Sequence, residues 1–333
     1  MRAARFHAAH EPLSIDDVAT PEPSEDEVRI RVRASGVCGT ELHFTDGMYA
    51  PLNPPTTLGH EVAGEVDAVG AAVHDVAVGD RVVVNYLLFC SRCRWCRKGQ
   101  QHRCVNPRGL FAFVSDGGFA EHVVVPATCI VPLPDSIAFT DAAPLCCAGA
   151  TAVHALGVAR VESGEVVVVV GAGGVGLAVV QVAADRGARV VAVSRSAAKL
   201  QAARSLGAEV TVTPDAAAEA VIAMGGGDVV IETVGSAESL PASLGLLGRG
   251  GRLVLVGYSE APLEVQPLAL VIDEKSVLTS VGSTPADLAH AVDLAGRSRL
   301  RIPVDDVVAL DDIDDALARL RRGDVVGRLV VVP

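Results

Sequence analysis

Two rhythms of apolar and polar positions divide the chain. Up to about residue 147 the pattern is short and period-two. Val28-Arg-Ile-Arg-Val-Arg33 alternates apolar and basic, as a half-exposed strand does. Glu61-Val-Ala-Gly-Glu-Val-Asp-Ala-Val69 and Asp80-Arg-Val-Val-Val-Asn85 continue the pattern, and Gly36, Gly59, Gly64, Gly70 and Gly79 interrupt it. Short strands punctuated by glycine predict an all-β, barrel-like domain. Later the rhythm lengthens. Val166 to Val170 are consecutive valines, a strand buried on both faces. A helix over 177–186, a strand over 189–193 and a helix over 197–206 follow. Then come a strand over 229–232, a helix over 240–247 and a strand over 252–256. This alternation predicts a doubly wound parallel sheet. Helices over 286–295 and 313–322 and a last strand over 327–332 are expected to return to the first domain. The predicted division is therefore 1–147 plus 283–333, and 148–282.

Directly after the valines stands Gly171-Ala-Gly-Gly-Val-Gly176, with Gly171, Gly173 and Gly176 in Gly-x-Gly-x-x-Gly spacing. In a dinucleotide fold the first glycine permits the tight turn. The second lets backbone approach a pyrophosphate, and the third lets helix pack on strand. The backbone around Gly174 and Val175 then supplies free N–H groups and partial positive charge for phosphates. The competing reading is a glycine-rich turn without a ligand. The strand before and the helix after favour the dinucleotide (Rossmann) reading.

Composition narrows the class. The chain has 333 residues, half of them apolar, which suits two domains with a large core. A formal net charge of -12 argues against nucleic acid or an anionic membrane as the main partner. No apolar run is expected to reach membrane-crossing length. Met1-Arg-Ala-Ala-Arg-Phe-His7 lacks the apolar core of a signal peptide, so a cytoplasmic protein is expected. Its eight cysteines then read as metal ligands or buried thiols.

Four of them form Cys90-x-x-Cys93-x-x-Cys96 followed by Cys104, a set able to wrap one structural, tetrahedral zinc with no open position. Arg92, Arg94, Arg97, Lys98 and Arg103 offset the charge of four thiolates, and residues 90–104 contain no acid. A zinc ribbon for nucleic acid would also be basic, but the acidic chain favours local charge balance. Cys38, Cys129, Cys146 and Cys147 remain, and spacing alone does not gather them into a site; Cys129 reads as a buried thiol.

The order of Gly36-Val-Cys-Gly-Thr-x-x-His43, Gly59-His-Glu61, the four-cysteine lobe, Pro144-Leu-Cys-Cys-Ala-Gly149 and the glycine turn resembles the zinc-dependent medium-chain alcohol dehydrogenases over essentially the whole chain. The resemblance implies a barrel-like, GroES-like catalytic domain and a second, catalytic zinc held by Cys38, His60 and Cys147. Cys146 stands where that family usually has an apolar residue. Glu61 resembles an acid lying near this metal. By the same resemblance the metal polarises an alcohol or carbonyl oxygen while hydride passes to or from a nicotinamide. Thr40 then takes the alcohol proton and His43 delivers it to solvent. Three residues apart, these two lie on one side of a helical turn. Tyr86 is expected to line the substrate pocket or pack within the barrel. Arg328 is expected to contact the cofactor pyrophosphate or to be a solvated edge charge. A homodimer or homotetramer acting on a small alcohol or carbonyl is implied.

An NAD site of this kind places Asp or Glu at the end of the second strand for the ribose hydroxyls. Here the strand runs into Ser194-Arg195-Ser196, with Lys199 one turn on. Ser194 and Arg195 suit a 2′-phosphate, so NADP(H) is expected over NAD(H). Two other readings remain. A polyol or cyclitol dehydrogenase often has a carboxylate as third ligand, which Cys147 opposes. A non-catalytic nucleotide-binding redox sensor would keep the glycines and lose Cys38, Thr40, His43, His60 and Cys147, all of which are present.

Overall fold

The computed structural model describes residues 1–50 and 53–333. It divides into two compact units. One comprises Met1–Ala150, Gly282–Arg297 and Ile302–Pro333; the other comprises Thr151–Val281 and Ser298–Arg301.

The first unit is built on a seven-stranded sheet. Its centre is the long strand Glu27–Val37, paired antiparallel with Glu61–Val69, His122–Pro126 and Arg328–Val332. The alternation seen in the sequence is used literally. Val28, Ile30 and Val32 point into an apolar cluster with Val62, Val66 and Val123. On the other face Arg29 meets Asp67 at 2.8 Å and Arg33 meets Glu65 at 2.6 Å. Such half-exposed pairs add a few tenths to about 1 kcal/mol each, so the inward valines carry the stability. From Ala34 to Val37 the strand is buried at every position, and there Arg328–Val332 pairs along its edge. That last strand is interior to the sheet, flanked by Val304–Ala309.

The second unit holds a six-stranded parallel sheet. Its order is Val210–Val212, Arg189–Val193, Val166–Val170, Gly227–Glu232, Leu247–Leu255, Ser276–Thr279. The order reverses direction between Val166–Val170 and Gly227–Glu232, which is where ligands enter sheets of this type. Val167, Val168 and Val169 are fully buried, as strands covered on both faces require.

Several elements depart from the sequence pattern, each for a local reason. The helix after the glycine turn runs Gly174–Asp185, so two glycines lie inside its first turn, where propensity opposes a helix. The helix Ala148–Ala159 was not expected, because it is almost entirely buried and carries no amphipathic period. Val304–Ala309 also escaped notice: as an outer strand with exposed Asp305, Asp306 and Val307 it does not alternate. The strand Leu247–Leu255 starts earlier than expected, because Gly248, Gly250 and Gly251 mask its onset. The expectation that no apolar run reaches membrane length is corrected. Helical residues Phe139–Ala159 span 21 residues and contain an 18-residue window of mean hydropathy 1.5, but 89% of that window is buried inside the protein.

Two glycines are dictated by the turn. Gly171 has φ 96°, in the left-handed region. A Cβ on Gly176 would lie 1.9 Å from the carbonyl oxygen of Gly171, whereas one on Gly173 would meet nothing within 4 Å. Gly176→Ala therefore costs about 1–3 kcal/mol and lowers the thermal midpoint by several degrees, while Gly173→Ala leaves it unchanged. Scanning calorimetry of the two variants checks the contrast.

Candidate active site

The site in the first unit grows out of the end of the central strand. The chain leaves Val37, passes Cys38 in extended conformation, and enters the short helix Gly39–Thr45. Glu41, three residues on, turns back: its Oε2 accepts from the Cys38 backbone N–H at 2.8 Å, closing a capping box. Its Oε1 lies 2.7 Å from Nδ1 of His60. Glu41 and His60 are both 2% exposed, so this contact is shielded from water. His60 enters from the residue before the strand Glu61–Val69, and Cys147 from the start of the buried helical stretch.

These elements converge. The ligating atoms of Cys38, His60, Glu61 and Cys147 lie within 4.8 Å of one another, and all four residues are buried. Of the adjacent pair, Cys147 turns its sulfur into this group, while Cys146 donates to the Val62 carbonyl at 3.2 Å and is pushed up by burial. Arg328, only 5% exposed, donates to Glu61 Oε1 at 3.1 Å and to Cys38 Sγ at 3.3 Å. The reading of Arg328 as a solvated edge charge is overturned, because its strand is interior and its guanidinium is enclosed.

Electrostatics suit a cation. The Cys147 thiol hydrogen-bonds Cys38 and, with Arg328, holds its thiol well below the usual range against the effect of burial; Cys147 is raised in turn. Burial raises the Glu61 carboxyl to about 7, opposed by Arg328. Burial disfavours a charged His60, yet Glu41 and Cys38 together hold it well above its ordinary range. Two thiols and an imidazole whose Nδ1 is engaged by a carboxylate form a donor set that fits Zn²⁺, with Nε2 left for the metal. Glu41 was missed at the sequence level. Its signal was an acid at the third helical position after Cys38, the mark of a capping box.

Around His60 stands an aromatic wall. Tyr86 packs edge-on at 5.0 Å between ring centroids, and Phe113 at 6.2 Å. Tyr86 also packs against the barrel core, as its packing reading expected. Phe113 was not anticipated; it lies outside any strand or helix and carries no pattern. Thr40 Oγ1 lies 3.6 Å from Cys38 Sγ. His43, half-buried on the same helix, meets the Tyr49 ring at 5.8 Å.

Apart from this group, Cys90, Cys93, Cys96 and Cys104 bring their sulfurs within 4.8 Å of one another, and all eight cysteines are free thiols. Cys93 and Cys96 are 3.5 Å apart. Backbone N–H groups of Cys96 and Val105 pull the Cys93 thiol down to about 6, favouring a thiolate. Four such sulfurs fit a tetrahedral zinc.

In the second unit, Gly173 caps the helix Gly174–Asp185, so the amides of Gly174, Val175 and Gly176 open its first turn. At the end of the neighbouring strand Arg189–Val193, Ser194 is half-buried and Arg195 exposed. Ser194 Oγ accepts from Ser196 N–H at 3.3 Å, and Ser196 accepts from the Lys199 N–H.

Comparison with known proteins agrees with this geometry. Residues 24–135 match the alcohol dehydrogenase GroES-like domain, and residues 174–297 match the zinc-binding dehydrogenase domain. An alcohol dehydrogenase of Geobacillus stearothermophilus is 34% identical over 337 residues, covering 99% of each chain. An NAD-dependent alcohol dehydrogenase of Sulfurisphaera tokodaii is 30% identical across 100% of both. The cobalt- and zinc-bound thermostable alcohol dehydrogenase of Pyrobaculum aerophilum superimposes with TM-score 0.93 at 36% identity, over 100% of this chain and 99% of that one.

If Glu41 orients His60, Glu41→Ala loses one of two bound zinc ions about 10–100-fold more readily to a chelator, while the other stays. Metal analysis during a chelator titration reads this directly.

Proposed function

The chain belongs to the zinc-dependent medium-chain alcohol dehydrogenases, and from that premise we propose that it transfers hydride between NADP(H) and a small alcohol or its aldehyde or ketone. The observation carrying this is the buried Cys38, His60, Glu61 and Cys147 cluster. Zinc bound there supplies Lewis acidity toward an alcohol or carbonyl oxygen. A second zinc at Cys90, Cys93, Cys96 and Cys104 is structural.

The protein's own residues do the rest. Cys38 and Cys147 neutralise the metal, and Glu41 fixes the His60 ring through Nδ1. Thr40, against Cys38, accepts the alcohol proton, and His43, one helical turn on, passes it toward solvent. Tyr86 and Phe113 form an apolar wall on His60, which excludes water and suits the carbon skeleton of a substrate. The glycine turn and the amides of Gly174 and Val175 hold the pyrophosphate. Ser194 and Arg195, with Lys199 one turn on, bind the 2′-phosphate, and no carboxylate stands among residues 194–199 to repel it.

Two measurements test the reading. The ratio of kcat/KM with NADP(H) to that with NAD(H) is expected to exceed about tenfold and to collapse in Arg195→Ala; a preference for NAD(H) sinks the cofactor assignment. His43→Ala is expected to slow alcohol oxidation about tenfold or more, most at low pH, where external base is scarce; an unchanged pH–rate profile removes His43 from proton transfer.

A further inference from the structure

One buried charge in the second unit has no part in the chemistry above. Glu232 ends the strand Gly227–Glu232 and is 0% exposed in an otherwise apolar strand end. It pairs in register with Val170, the residue before Gly171, so it stands at the reversal of strand order. Burying a carboxylate there is costly unless every oxygen is satisfied. Both are. Oε1 accepts from the Val234 N–H at 3.0 Å and the Ser239 hydroxyl at 2.8 Å, and Oε2 accepts from the Gly235 N–H at 2.8 Å. All these donors belong to residues 233–239, directly after the strand.

The loop so gathered grips its neighbours. Thr233 Oγ1 donates to the Val170 carbonyl at 2.8 Å and lies 3.4 Å from that of Gly171. A Cβ on Gly171 would sit 2.4 Å from Thr233 Oγ1. On the other side the Val256 and Gly257 N–H groups both donate to the Glu232 carbonyl at 2.9 Å. A Cβ on Gly257 would sit 2.5 Å from the backbone of Thr233 and Val234. The loops ending three adjacent strands thus meet at two neighbouring residues, Glu232 and Thr233.

We infer that Glu232 is a positioning residue for the dinucleotide, holding the loop after its strand against the glycine turn so that the crevice is formed before the cofactor arrives. The inference rests on the reading of the second unit as a nicotinamide-dinucleotide site. Preorganisation lowers the ordering cost of binding, so its loss appears in cofactor affinity. Glu232→Gln keeps size but replaces one acceptor oxygen with a donor, which must face either the Gly235 N–H or the Val234 and Ser239 donors.

The test is calorimetric titration of the zinc-loaded protein with NADP(H) and with NAD(H), beside steady-state kinetics and amide exchange. Glu232→Gln is expected to weaken cofactor binding about tenfold and to speed exchange at Val234 and Gly235. Alcohol KM at saturating cofactor and zinc content should stay as in the wild type, a split that general misfolding does not give. Ser239→Ala, which removes only the hydroxyl, is expected to weaken binding about threefold and decides the matter if Glu232→Gln does not fold. Cofactor affinity unchanged in Ser239→Ala and in any folded Glu232→Gln overturns the inference alone. A wild type that binds neither dinucleotide overturns the site reading and the inference with it.

Discussion

Buried charge is the constraint on which the first unit depends. Glu41, Glu61, His60 and Arg328 all lie almost out of reach of water, and each is tolerated only because the others are in place. Removing one partner of a buried pair such as Arg328 and Glu61 costs about 3–5 kcal/mol, since the other charge is then left alone. The partners come from segments as much as 290 residues apart. Strand register brings them together: Gly36 faces Glu61 on one side of the central strand, and Leu329 faces Val37 on the other. A slip of one residue in either pairing turns Glu61 or Arg328 to the opposite face, because side chains alternate along a strand. The barrel core and the metal cluster therefore specify the same register.

The second unit solves its problem by the same means on another architecture. Its strands are apolar where helices cover them, and polar groups gather where the strands end. Glu232 is buried there and satisfied by its own loop, as Glu41 is satisfied by the N–H of Cys38 and the ring of His60. In both units a buried carboxylate accepts from backbone N–H groups three or fewer residues away and so shapes the local backbone.

Legibility followed how local each signal was. The valine strand, the glycine turn and the cysteine lobe are contiguous, so each could be read in the chain. The lobe closes within 15 residues, and its sulfurs meet as the spacing predicted. Cys38, His60 and Cys147 are far apart, and nothing in their spacing gathers them; only resemblance to a family did so. Glu41 carries a local mark that was available and unused. Phe113 and the outer strand Val304–Ala309 carry none, since a loop aromatic and a strand with exposed aspartates follow no apolar period. The helix Ala148–Ala159 was hidden for the opposite reason, being apolar on nearly every side.

By itself, then, the chain's order of residues determined the two architectures, the dinucleotide turn and a four-thiol metal lobe, because period, turn chemistry and ligand spacing are short-range properties. Tertiary structure alone decided that Arg328 is enclosed beside Glu61 and that Glu41 holds His60, and it turned the Cys147 sulfur toward Cys38, a facing that only a family resemblance had indicated. Those outcomes depend on which face of a strand or helix a side chain takes once distant segments pair, and register over long separations is set by burial of the whole sheet.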